Sequence, residues 1–206
     1  MVNVIPTLII YKHMKRYILL SVLFLSVAIT NIKAQSSINH LTFKNIPITG
    51  SLSNMINKLQ ASGYELKDSD DSSALFEGKF ANEDCYIIVY TTKKSKLVYH
   101  VAIVFEGSNS WTLLKSDYTR LKKQLREKYN IKPNSTETFL SPYYEGDGYE
   151  LQALKLSKCF YNSRFRLDNG TITLLISKEG VLLSYIDSYN ESINEKEEND
   201  SAFDDL

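Results

Sequence analysis

Apolar positions along this chain switch from a helical to an extended period twice, in the same order each time. Leu41–Gly50 is a short extended segment closed by Pro47 and Gly50. Leu52, Met55, Ile56 and Leu59 then recur at i, i+3, i+4 and i+7, the stripe of an amphipathic helix. Ser51 or Ser53 is placed to cap it, and Gly63 to end it. Strand-like runs follow at 74–80, 84–91 and 97–105, rich in β-branched and aromatic residues, and the polar stretch 92–96 joins the last two as a hairpin loop would. In the second cycle Leu114, Tyr118, Leu121, Leu125 and Tyr129 share one face of a helix that starts near Trp111 and stops at Asn130 and Pro133. A long connection, 132–148, leads to strands expected at 153–156, 160–167, 171–177 and 181–189. Between two of these, Asn169-Gly170 suits the positive-φ positions of a type I′ turn, and Lys178-Glu179-Gly180 supplies the next turn.

The pattern predicts an α+β fold. One domain over 41–190 is built from two helix-plus-antiparallel-meander repeats, about 51–106 and 110–190. They form one sheet of six to eight strands with two helices on one face. The halves agree in pattern rather than in residue identity, and each is too small to stand well alone.

The ends of the chain read differently. Met14-Lys15-Arg16 precedes the apolar run Tyr17–Ile29, and a polar shoulder then leads to Ala34-Gln35. Those are the three regions of a secretory signal peptide, so 1–34 is expected to be removed, with 1–13 a misassigned start ahead of Met14. The apolar run is shorter than the roughly 20 residues a membrane span needs, so no span is expected in the mature chain. Four of the 24 basic residues and none of the acids lie in 1–34, which leaves a mature balance of −4. Residues 191–206 hold seven acids and one lysine, and are expected to form a disordered acidic tail. The remaining core, 35–190, is at +2, without the clustered basic face of a nucleic-acid binder. Location is expected to be the periplasm, the cell surface or the medium.

The tandem helix-plus-meander order resembles the beta-lactamase inhibitory protein family, and one half is similar to the small envelope proteins that share its half-fold. The likeness spans most of 41–190 and rests on element order. It implies a continuous antiparallel sheet, helices on one face and an open concave face that grips another protein. The opening, a signal followed by Phe43-x-x-Ile46-Pro47-Ile48-x-Gly50 and a helix, also resembles exported envelope proteins of Gram-negative bacteria.

Local catalytic chemistry is sparse. No nucleophile elbow, zinc-protease motif or glycine-rich phosphate cradle occurs. Beyond residue 34 the histidines are His40 and His100, with no Cys-x-x-Cys, so neither a metal site nor a cofactor is expected. The acidic stretch Asp68-Ser-Asp-Asp-Ser-Ser73 lacks the glycine and later glutamate of a calcium loop and reads as a solvated turn. Cys85 and Cys159 can pair in an oxidising compartment, or stand as two buried thiols. Tyrosine is the residue in excess. Tyr86 and Tyr90 share a strand face with Ile88, and Tyr143, Tyr144 and Tyr149 crowd the long connection. Large aromatic area with a hydroxyl suits either a protein interface or sugar stacking. The expectation is a non-enzymatic binding module for an envelope or extracellular protein on the helix-free face. The alternative is a glycan or small-ligand binder using 143–149.

Overall fold

The computed structural model describes residues 38–204, so the expected signal segment lies outside the described residues. From Asn39 onward the chain is one unit. A two-residue hairpin, β1 (Thr42–Phe43) and β2 (Ile46–Pro47), opens it, turning at Lys44 and Asn45 with φ of 48° and 64°. Helix α1 (Leu52–Ala61) is capped by Ser51, whose side chain accepts from the Asn54 amide. Four strands follow as a meander: β3 (Glu65–Ser69), β4 (Ser73–Phe80), β5 (Glu83–Thr91) and β6 (Val98–Phe105). Helix α2 (Trp111–Tyr129) begins at the Ser110 cap and ends where Asn130 turns left-handed. The second half adds β7 (Asn134–Phe139), the short helix α3 (Glu150–Lys155), β8 (Cys159–Leu167), β9 (Gly170–Ser177), β10 (Gly180–Asp187) and helix α4 (Ser188–Asp204).

The large sheet is antiparallel, in the order β3-β4-β5-β6-β10-β9-β8-β7. Each half supplies four neighbouring strands, and the last strand of each, β6 and β10, pair at the centre. The fold is therefore α+β with an eight-stranded sheet, and the described helices lie on one side of it. Cross-strand register explains why. The row Phe76, Ile87, Ile103, Leu183, Leu174, Ser163 runs across the sheet from β4 to β8, and every member is buried. So is the row Ala74, Val89, Val101, Tyr185, Ile172, Phe165. Met55 and Leu59 of α1, with Leu114, Tyr118, Leu121 and Leu125 of α2, close over these rows. A polar thread runs beneath α2: the Tyr118 hydroxyl donates to Glu137 at 3.0 Å and lies 2.5 Å from Ser163 Oγ, which is 2.8 Å from Ser135 Oγ.

Five expectations are corrected. Residues 153–156 are not a strand: Glu-Leu-Gln-Ala-Leu-Lys consists of good helix formers, and α3 buries Ala153 and Leu154. Strands β3 and β7 escape a hydrophobic pattern because they are edge strands with little to bury. The turn before β9 is made by Asp168 and Asn169, and neither Asn169 nor Gly170 has positive φ. Gly170 is needed instead for close approach, since a Cβ there would stand 2.4 Å from the Ile186 carbonyl oxygen. The residues expected to form a disordered tail continue α4 through Asp204. Finally, the helices on the covered side number four rather than two among the described residues.

Helix α4 is held by polar groups, which explains why composition concealed it. Buried Asp187 accepts from the Asn190 and Leu41 amides, capping the helix and tying it to the N-terminal segment. Asn190 donates to the carbonyls of Ile48 and Val98 at 3.1 and 2.8 Å. Farther along, Asn194 accepts from Lys93 N–H, and Glu197 accepts from the amides of Lys94 and Ser95 at 2.5 and 3.0 Å. These bonds satisfy loop amides that a tight turn leaves unpaired.

Candidate functional site

The side of the sheet turned away from the helices carries three cross-strand rows of its own. The middle row reads Leu75, Ile88, Ala102, Ser184, Thr173, Arg164, Asn134 from β4 to β7. One flanking row reads Glu77, Tyr86, Val104, Leu182, Leu175, Asn162, Thr136. The other reads Ser73, Tyr90, His100, Ile186, Thr171, Arg166. The rows share a broad gradient. Aromatic and aliphatic residues, with Ser184 among them, occupy β5, β6 and β10, whereas asparagine, threonine and arginine occupy β7 and β8, and β9 between them contributes Thr171, Thr173 and Leu175.

Tyr86 and Tyr90 thus lie together on the helix-free face, as the sequence pattern requires, and Tyr86 is 39% exposed. Tyr90 is half-buried because it stacks on His100, with ring centroids 5.0 Å apart. His100 Nε2 lies 2.8 Å from Ser184 Oγ. Burial pushes its pKa down to about 4, so the imidazole is neutral at pH 7. Among the described residues no carboxylate bonds this imidazole. The pair therefore lacks the orienting acid that a serine nucleophile and its base require. Tyr86, Tyr90 and Ile88 were legible from period-2 alternation in one strand. Their neighbours His100, Val104, Leu182 and Ile186 were not, because strand order and register bring them together.

The tyrosines of the long connection stand on the other side and do not converge. Tyr144 and Tyr149 are exposed, their amides donating to the two oxygens of Asp147, while Tyr143 packs against the core. Their loop nevertheless borders a groove of about 710 Å³ against α2, and it does so through Glu145, Gly146 and Glu150. Across the groove stand Trp111, Lys115 and Arg120. Lys115 pairs with Glu145 and, with the Tyr161 hydroxyl also donating to it, holds that carboxyl below its usual range. Trp111 Nε1 is buried and makes no hydrogen bond of ordinary geometry.

Other candidates resolve simply. Cys85 and Cys159 are free, buried thiols. They sit on β5 and β8, four strand steps or roughly 19 Å apart, too far to bridge. The disulfide reading is therefore replaced by the two-thiol one. In the 68–73 turn Asp70 accepts from the amides and hydroxyls of Ser72 and Ser73, which holds its carboxyl below the usual range. Among the described residues no group of three or more His, Cys, Asp or Glu side chains is placed to hold a metal, and no helix is long and apolar enough to cross a membrane.

Comparison with known proteins gives no match to a family model, a curated protein or a solved structure.

Proposed function

We propose that this protein is an exported, non-enzymatic binding module that engages a protein partner on its helix-free sheet face. One observation carries the reading. The helix-free half of β4, β5, β6 and β10 presents Leu75, Tyr86, Ile88, Tyr90, Val104, Leu182 and Ile186 side by side, with no described helix over them. A contiguous apolar and aromatic strip with a polar rim is the composition of a protein interface. The tandem order of elements supports it further, since the resemblance to the beta-lactamase inhibitory protein family implies the same face. A photo-crosslinking residue at position 77, opposite Tyr86 in the same row, followed by mass spectrometry of envelope extract, should trap a defined partner. The Tyr86→Ala/Tyr90→Ala variant should lose that partner. Unchanged recovery by the double variant overturns the assignment of the face. Intact-mass measurement of the exported protein tests the leader, with cleavage after Ala34 the expected result.

A second reading is favoured by the groove between α2 and the 143–150 loop. Its mixture of Trp111, Lys115, Glu145 and Glu150 suits a small polar ligand such as a saccharide. Trp111 is the single tryptophan of the chain, so a glycan that enters this groove should shift its emission. An unmoved spectrum across a glycan panel disposes of that reading.

A further inference from the structure

The charge on the helix-free face is distributed unevenly. At the β3–β4 end, charges of both signs neutralise one another: Lys67 pairs with Glu65 and Glu77, and Lys79 with Asp84. On the helix side, four bases of α2 are likewise matched, Lys115 with Glu145, Arg120 with Glu83 and Asp117, Lys122 with Glu137 and Lys123 with Glu127, while Arg126 and Lys128 form no ion pair among the described residues. Arg164 and Arg166 of β8 lie on the opposite face from those bases. Both are exposed on the helix-free face, and among the described residues neither forms an ion pair. They border a depression of about 340 Å³ whose other walls are the amides and hydroxyls of Asn134, Thr136, Asn162 and Thr173 and the side chain of Leu175. Glu191 of α4 lies within electrostatic reach of Arg164. Burial raises its pKa overall, and Arg164 attracts it without bonding it.

We propose that Arg164 and Arg166 receive the carboxylates of an acidic polypeptide segment of the partner. This deepens the interface reading above and rests on it. Two arginines at i and i+2 of a strand stand about 7 Å apart, the repeat at which acids on alternate residues of an extended segment present their carboxylates. The guanidinium fork takes a carboxylate through two parallel bonds, and the surrounding amide and hydroxyl groups can bond the adjoining backbone. A polypeptide rather than an anionic polysaccharide is favoured by continuity. The arginine rows are the same rows that hold Ile88 and Tyr90 roughly 19 Å away, and only a partner with apolar side chains uses both ends.

The test uses the full mature chain and a fluorescein-labelled decapeptide of alternating Glu and Ser, followed by anisotropy at low and physiological salt. The wild type should bind it, with affinity falling as salt rises. Arg164→Ala/Arg166→Ala should weaken binding about tenfold or more, and Arg164→Lys/Arg166→Lys should fall between, because charge remains but the fork is lost. Both residues are exposed, so an unchanged thermal midpoint accompanies these losses. Failure of the wild type to bind the peptide, equal binding by the alanine double variant, or tighter binding of a heparin hexasaccharide overturns the proposal. Tyr86→Ala/Tyr90→Ala should leave peptide affinity within about threefold. If the acidic peptide fails while that tyrosine variant still loses the crosslinked partner, the arginine assignment falls and the interface stands; the reverse result sinks the tyrosine face alone.

Discussion

Tyr90 and His100 stack nearly face to face across the β5–β6 ladder, with their planes 20° apart. The stack and the bond to Ser184 keep the imidazole away from water, and burial lowers its pKa to about 4. An unfolded histidine titrates near 6.5. The folded state therefore binds the proton less readily than the unfolded one. Stability is fully present above about pH 6.5 and declines as pH falls toward 4. Urea unfolding should show the wild type losing roughly 2–3 kcal/mol more than His100→Gln between pH 7 and pH 4. Equal losses in the two proteins would remove His100 from the account.

The β4–β5 turn stores a correctable strain. Phe80 pairs with Glu83 across two residues, Ala81 and Asn82, with φ of 52° and 70°, the signature of a type I′ turn. Asparagine tolerates this conformation, while the alanine Cβ meets the following carbonyl oxygen. Ala81→Gly should raise stability by about 0.5–1 kcal/mol, because the turn already has the geometry glycine prefers. A lowered thermal midpoint would contradict this.

Much of the fold was legible because long, periodic segments carry their own evidence. The stripe Leu114, Tyr118, Leu121, Leu125 could only be one face of a helix, and α2 covers Trp111–Tyr129. The alternation in 84–91 separated Cys85, Ile87 and Val89 from Tyr86, Ile88 and Tyr90 before any neighbour was known. What escaped was polar or non-local. Strand β7 has almost no apolar residue and exists through backbone pairing with β8. Helix α4 is held by Asn190, Asn194 and Glu197 on distant amides and carbonyls, and no local pattern encodes those partners. The rows of the helix-free face needed the β6–β10 register, which joins residues about eighty positions apart.

Glu197 gives α4 a pH-sensitive anchor. Burial opposes its charge, but bonds from the Ser95 hydroxyl and the Lys94 and Ser95 amides outweigh it and hold the carboxyl below its usual range. An acid with a lowered folded pKa stabilises above its unfolded value and loses that contribution as pH falls through the folded one. The end of α4 should therefore loosen only in acid. Glu197→Ala removes charge-assisted bonds and should cost about 1–3 kcal/mol of local stability. Limited proteolysis should cut the variant within 191–204 at neutral pH while the wild type resists. Equal cleavage would show that the anchor contributes nothing.

The thiols should be inert. Burial pushes the pKa of Cys85 to about 11 and that of Cys159 to about 12, so little thiolate exists at pH 7. Intact mass should show two free thiols whether or not reductant is present. Alkylation should become rapid only in denaturant. A mass two units lower without reductant would require the strands to move, contrary to the β5–β8 separation.

Neighbouring isoleucines on β5 separate the two faces in one experiment. Ile87 is fully buried in the row beneath the helices, whereas Ile88 is half-exposed on the opposite row beside Tyr86 and Tyr90. Truncating Ile87 leaves a cavity in close-packed surroundings, and Ile87→Ala should cost about 2–5 kcal/mol. Ile88→Ala loses only part of a contact with water nearby and should cost about 1 kcal/mol or less. The proposed interface reverses their order in binding. Ile88→Ala should weaken capture of the crosslinked partner, and Ile87→Ala should leave it intact under conditions where the variant stays folded. If Ile88→Ala unfolds the protein as readily as Ile87→Ala, the face is covered in solution and cannot be the open surface on which binding depends.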